Sequence, residues 1–262
     1  MLRYVLLGSG SNGNCCIIES SNTVIAIDFG LGIKDIKERA SKVGYEIDEI
    51  KALFITHNHT DHIRSIKYFQ IERVYATAST LVDYEPIIIE PFKTIYVGDF
   101  KITPIPTSHD AINSVGYIIE TNEEKLVYMT DTGYVNKKFF PYLKDADHYV
   151  FESNHDETML LRCKYPYFLK KRIISDSGHL SNTDCAEILS LLIYVSERLN
   201  NLFDKSIYRP FRKLSISQIV KIMETRKNAE NSKAVKVAEK SIEVSKAGMM
   251  VLNYANPYYW LK

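Results

Sequence analysis

Three histidines and one aspartate crowd six consecutive residues, His57-Asn58-His59-Thr60-Asp61-His62, directly after an apolar run at 52–56. The run reads as a strand, so the cluster sits on the loop that leaves it. Imidazole and carboxylate are the donors that borderline divalent metals prefer. Packing alone gives no reason to place four such side chains on one loop. The chain must therefore fold so that a strand end becomes one wall of a metal centre.

The loop holds enough donors to start two sites. One ion would take His57, His59 and a third histidine; the other would take Asp61, His62 and a further residue. A bridging carboxylate would keep the pair about 3.5–4 Å apart. Candidates stand at the ends of other predicted strands. His109 follows 101–105 in Pro106-Thr107-Ser108-His109-Asp110, and Asp131 follows 126–129 in Met129-Thr130-Asp131-Thr132-Gly133. Asp28 ends the strand at 24–27, where its carboxylate could orient a liganding imidazole through the ring's far nitrogen.

The surrounding pattern is α/β. Short apolar or β-branched runs predict strands at 4–7, 16–19, 23–27, 74–76, 87–89, 94–97, 101–105, 115–120, 126–129 and 149–152. Helical spacing predicts helices at 31–43, 63–71, 169–174 and 183–199, then at 215–227 and 233–246, with a last strand at 249–254. Strands interleaved with helices point to a layered α/β sandwich with a helical C-terminal part. No repeat or linker divides the 262 residues, so a single domain over 1–262 is expected, with a divergent helical extension from about 183.

Gly8-Ser9-Gly10-Ser11-Asn12-Gly13 matches a dinucleotide-binding pattern. That pattern works only where it opens a helix over a pyrophosphate. Here Cys15-Cys16-Ile17-Ile18-Glu19 comes next, which is a strand. The glycines are expected to form a turn between two strands, with amides free to touch a substrate phosphate. The four cysteines include no Cys-x-x-Cys pair, and buried free thiols are expected. No apolar run approaches the roughly 18 residues that span a bilayer, and the N-terminus lacks a signal-peptide pattern. A cytoplasmic protein without a membrane partner is expected.

Charge is unevenly spread. Residues 1–160 carry 15 Lys and Arg against 23 Asp and Glu, a net of −8; residues 161–262 carry 18 against 9, a net of +9. A polyanion is a natural partner for the second part.

The motifs together resemble the YycJ/WalJ group of the metallo-β-lactamase fold. The resemblance rests on His57-x-His59-x-Asp61-His62 with the strand-end His109 and Asp131. It extends to 7–14, 107–111, 131–135, Glu152-Ser153-Asn154-His155-Asp156, 159–160, 165–170 and Gly178-His179-Leu180-Ser181-Asn182, covering about 2–182. It implies an αββα sandwich with metals at the edge between two sheets. It implies His57, His59 and His109 on a first ion, Asp61 and His62 on a second, and Asp131 bridging, with zinc or manganese as the ions. Asp61 and His179 are the implied catalytic residues, with His179 beside the scissile phosphate.

The implied activity is phosphodiester hydrolysis by a metal-generated hydroxide attacking phosphorus, most simply in a nuclease acting on DNA or RNA. The alternatives are a cyclic-nucleotide phosphodiesterase and a catalytically impaired metal-containing protein that binds nucleotide or nucleic acid. Lactam or thioester hydrolysis fits the motif set poorly. So does di-iron oxygen chemistry, whose branch carries glutamate where His59 stands. One departure separates this chain from the group. The family's last metal ligand comes from a later His-Leu-Ser segment, and no histidine follows His179. The second metal site is therefore expected to be weaker. Apolar positions Ile216, Ile219, Val220 and Met223 make a homodimer through the C-terminal helices a candidate assembly.

Overall fold

The computed structural model describes residues 1–194. The helices expected at 215–227 and 233–246, the strand at 249–254 and the candidate dimer positions lie outside the described residues. The chain falls into two compact units, the first Met1–Met129 and the second from Thr130.

In the first unit, six strands form one mixed sheet in sequence order: β1 (Arg3–Gly8), β2 (Cys15–Glu19), β3 (Val24–Ile27), β4 (Ile50–Phe54), β5 (Val74–Thr77) and β6 (Ile87–Ile89). β1, β2 and β3 pair antiparallel; β3 to β6 run parallel. The middle strands are continuous apolar runs because both faces are covered. One face packs on α1 (Ile33–Lys42), whose Ile36 and Ala40 share a helix face and are fully buried with Ile17, Ala26 and Leu53.

The other face meets a second, antiparallel arrangement built from β7 (Ile95–Val97), β8 (Phe100–Pro106), β9 (Val115–Glu120) and β10 (Lys125–Met129). Tyr117 from β9 ties the two layers. Its ring sits edge-on to Phe54, and its hydroxyl donates to the Ile55 carbonyl. The site loop therefore leaves β4 at a point anchored from both sides.

The helix expected at 63–71 does not form as such. A single turn, α2 (Thr60–Ile63), begins inside the histidine motif, and two separate 3-10 turns come after it at Ile66–Tyr68 and Ile71–Arg73. Ser65 explains the break. Its N–H donates to the Phe29 carbonyl at 2.8 Å and its hydroxyl to Leu31 at 2.7 Å, so the backbone is pulled off the helical path.

In the second unit, α3 (Phe140–Leu143) precedes β11 (His148–Phe151), followed by α4 (Glu157–Arg162), α5 (Tyr167–Ile174) and α6 (Asn182–Tyr194). Two N-terminal side chains fix the helix starts. Asp156 accepts from Met159 N–H at α4, and Ser181 accepts from Asp184 N–H at α6. Of the cysteines, Cys15, Cys16 and Cys185 are buried thiols, while Cys163 is partly exposed.

Candidate metal centre

β4 ends at Phe54, and Thr56 and His57 come after it with side chains buried. His57 Nε2 stands 3.0 Å from His59 Nδ1, which stands 3.2 Å from His109 Nε2. His109 arrives from the loop after β8, with its side chain buried. Three imidazole nitrogens thus converge on one point. A tetrahedral zinc with nitrogens at about 2.0–2.1 Å spaces its ligands by about 3.3 Å. The donor set and its spacing fit a divalent ion.

For His57 and His62, which nitrogen carries the proton is set by Asp28. Its carboxylate is completely buried and accepts three hydrogen bonds: from Thr56 N–H at 2.9 Å, Thr56 Oγ1 at 2.9 Å and His62 Nδ1 at 2.8 Å. Burial pushes the Asp28 carboxyl above the usual carboxylate range, against the pull of His62 and Thr56. The Thr56 hydroxyl spends its only proton on Asp28, so it must accept from His57 Nδ1, 3.0 Å away. The network is satisfied when His57 and His62 both carry their proton on Nδ1. Both Nε2 atoms are then acceptors, the form that binds a metal, and that of His62 accepts from the Asn14 NH₂. Asp28 takes up φ 58°, a left-handed conformation that aspartate tolerates better than most residues.

The glycine-rich turn grips the loop from behind. β1 and β2 flank it, as expected, and three of its amides are spent within the protein. Gly13 N–H donates to Gly10, Gly10 N–H to Asn14 Oδ1, and Asn14 N–H to the Asp61 carbonyl at 2.7 Å. Because Asn14 Oδ1 is held by Gly10, its NH₂ faces His62 Nε2 at 2.9 Å and the Asp61 carboxylate at 3.5 Å. Gly30 closes the clamp. An added Cβ there would lie 1.5 Å from the Asp61 carbonyl oxygen. Asp61 Oδ2 is 3.8 Å from His62 Nε2.

Asp131 and His179 belong to the second unit. Asp131 has φ 50°, and its Oδ1 lies 3.6 Å from His179 Nδ1. The nearer partner of His179 is Glu152 at the end of β11, whose Oε1 accepts from Nδ1 at 2.6 Å. Glu152 also accepts from Thr132 N–H at 2.7 Å. Burial alone would lower the His179 imidazole, but the hydrogen bond and charge of Glu152, with Asp131 behind it, carry it above the usual histidine range. Burial raises the Glu152 carboxyl, with the His179 hydrogen bond opposing.

Sequence reasoning misses Asn14, Thr56 and Glu152 as site residues. Glu152 carries a usable signal: it is an acid at a strand end, like Asp28 and Asp131. Asn14 and Thr56 act through hydrogen bonds across the fold and leave no such signal.

Comparison with known proteins agrees with this arrangement. Residues 23–195 match the model of the beta-lactamase superfamily domain. The chain is 29% identical to an exodeoxyribonuclease YycJ of Bacillus anthracis, over 84% of this chain and 89% of that protein. It is 34% identical to an exodeoxyribonuclease WalJ of Streptococcus pneumoniae, over 71% and 75% respectively. Among solved structures it resembles the metallo-beta-lactamase fold protein YhfI from Bacillus subtilis (TM-score 0.55, 17% identity, 71% of this chain and 80% of that one). It also resembles a diphosphatase from the PhnP family (TM-score 0.54, 18% identity, 73% and 84%). The chain belongs to the metallo-β-lactamase superfamily, and within it is related to the YycJ/WalJ exodeoxyribonucleases.

Proposed function

We propose that this chain is a metal-dependent phosphodiesterase of the cytoplasm, and specifically a nuclease that hydrolyses DNA with two divalent ions, zinc or manganese. The carrying observation is the convergence of His57, His59 and His109 nitrogens at 3.0–3.2 Å. The exodeoxyribonuclease names of relatives matched over 75–89% of their length support the substrate.

In this reading His57, His59 and His109 would hold the first ion, Asp61 and His62 would help to hold the second, and Asp131 would be a ligand of both. Bound there, such ions polarise a phosphoryl oxygen and lower the pKa of water toward about 7. The Asp61 carboxylate, steadied by Asn14, orients the attacking water. His179 gives Nδ1–H to Glu152 and keeps Nε2 for the reaction, where it donates a hydrogen bond to developing charge or a proton to the leaving oxygen. With no histidine after His179 in this sequence, the second ion would lack the family's last imidazole and would bind more weakly than the first.

The test is hydrolysis of bis(p-nitrophenyl) phosphate by metal-stripped protein, with Mn²⁺ or Zn²⁺ restored and Asp61→Ala alongside. Metal-dependent release of nitrophenol, lost in the variant, is expected. No release, with metal bound at the histidine loop, would refute the reading.

A further inference from the structure

The stretch from Leu161 to Ser175 carries five Lys or Arg and no Asp or Glu. It includes α4's last residues, the connection and α5. Its aromatic residues are not packed away: Tyr167 is 80% exposed, Phe168 73% and Tyr165 55%.

Position on α5 makes this a surface rather than a scatter. Tyr167, Phe168, Lys171 and Arg172 recur at the i, i+1, i+4, i+5 spacing that puts residues on one helix face. All four are exposed, while Leu169, Lys170 and Ile173 on the other side are partly buried. Lys170 is turned away, donating to the Leu161 carbonyl. Among the described residues Arg162, Lys164 and Lys171 make no ion pair. One face therefore presents two adjacent aromatic rings with cations beside them.

The C-terminal end of α5 holds the segment that carries His179. α5 ends at Ile174, and His179 N–H donates to the Ile173 carbonyl at 2.9 Å. Gly178 fits only as glycine, because an added Cβ would lie 2.2 Å from the Arg172 carbonyl oxygen. The segment that sets His179 is thus folded back onto the helix that carries the rings.

We propose that the exposed aromatic-basic face of α5, with Tyr165 and Lys164 beside it, is a binding site for single-stranded DNA that feeds the strand toward His179. This rests on the nuclease reading. Unpaired bases stack on Tyr167 and Phe168, as aromatic platforms do in other single-strand binders, while Lys164 and Lys171 meet the phosphates. A duplex has its base faces covered and would not use the rings. Charge complementarity selects a polyanion, and adjacent exposed rings select one with free bases.

The test is fluorescence anisotropy of a labelled phosphorothioate (dT)12 with the full chain. The comparison is wild type against Tyr167→Ala/Phe168→Ala and against Lys164→Ala/Lys171→Ala. The aromatic pair is expected to weaken binding about 25-fold or more, from roughly 5- to 150-fold per stacked base. The lysine pair is expected to reduce the slope of log affinity against log salt by about 1.4, from about 0.7 per single-strand phosphate contact.

Bis(p-nitrophenyl) phosphate hydrolysis is measured on the same proteins, since that substrate is too small to span the face. Oligonucleotide turnover falling about tenfold more than nitrophenyl turnover supports the proposal; equal losses overturn it. Affinity for (dT)12 that survives both double variants overturns it too, while leaving the nuclease reading intact. Wild type that binds (dT)12 through these residues but releases no nitrophenol sinks the nuclease reading and keeps the site. Equal affinity for duplex, binding to phosphatidylserine vesicles that depends on Tyr167, or concentration-dependent dimers lost in the aromatic variant would each assign the face to another occupant.

Discussion

Replacing Asp28 by Asn separates a ligand-orienting role from a purely structural one. Asparagine has the same shape and tolerates the left-handed φ of 58° equally well. Its Oδ1 can keep the Thr56 N–H. Its NH₂, however, must donate where Asp28 Oδ2 accepted from Thr56 Oγ1 and His62 Nδ1. The side-chain bonds then reverse: the new amide donates to both, and the freed Thr56 proton passes to His57 Nδ1, 3.0 Å away. His57 and His62 now carry their protons on Nε2, the nitrogens proposed to face a metal, and the new His62 Nε2–H meets the Asn14 NH₂, donor against donor.

The magnitudes come from that reversal. In the metal-free protein, two hydrogen bonds to a charged acceptor, worth about 1.5–3 kcal/mol each, give way to neutral ones. The desolvation of a wholly buried carboxylate, of order several kcal/mol, is relieved at the same time. These oppose, so unfolding by urea in the presence of chelator is expected to shift by less than about 2 kcal/mol. Metal affinity, read by competition with a chromophoric chelator, is expected to fall about 10- to 100-fold. The reasoning is refuted if Asp28→Asn binds Zn²⁺ within threefold of wild type, or if the metal-free variant fails to fold while Thr56→Val folds normally.

Gly30→Ala drives a Cβ to 1.5 Å from backbone at Asp61, so the histidine loop must move; loss of most metal binding in a dialysis assay is expected, with cooperative unfolding retained. Glu152→Gln leaves His179 without its charged partner. Phosphodiester turnover should fall about 10- to 100-fold, less than the 10²–10⁴ for losing a proton donor outright, and nitrophenol release at saturating metal reads it. Native protein should give one fast thiol with Ellman's reagent, abolished by Cys163→Ser, because Cys15, Cys16 and Cys185 are buried. Burial lifts the Cys185 thiol from 9.0 to about 12. Between those values the unfolded chain has lost a proton that the folded one keeps. Stability should therefore fall as pH rises across that window, and less steeply in Cys185→Ala.

How far the sequence discloses this site depends on how each residue acts. His57, His59 and His109, the proposed ligands of the first ion, announce themselves, because such a ligand must be imidazole, thiolate or carboxylate and must leave a strand at the right end. Asp28 is legible by the same logic, and its predicted grip on an imidazole is the observed hydrogen bond to His62. The strands β6 and β9 fall at the positions their apolar runs predict.

The illegible part depends on backbone geometry. The helix expected at 63–71 has the right apolar spacing, but spacing is blind to Ser65, whose two hydrogen bonds to the 29–31 segment break it. The glycine-rich turn invites a phosphate-binding reading because free amides look alike in a sequence. In the fold, Asn14 spends its own amide and its side chain on Asp61 and His62. The same turn that would cradle a ligand in another fold here braces the metal loop.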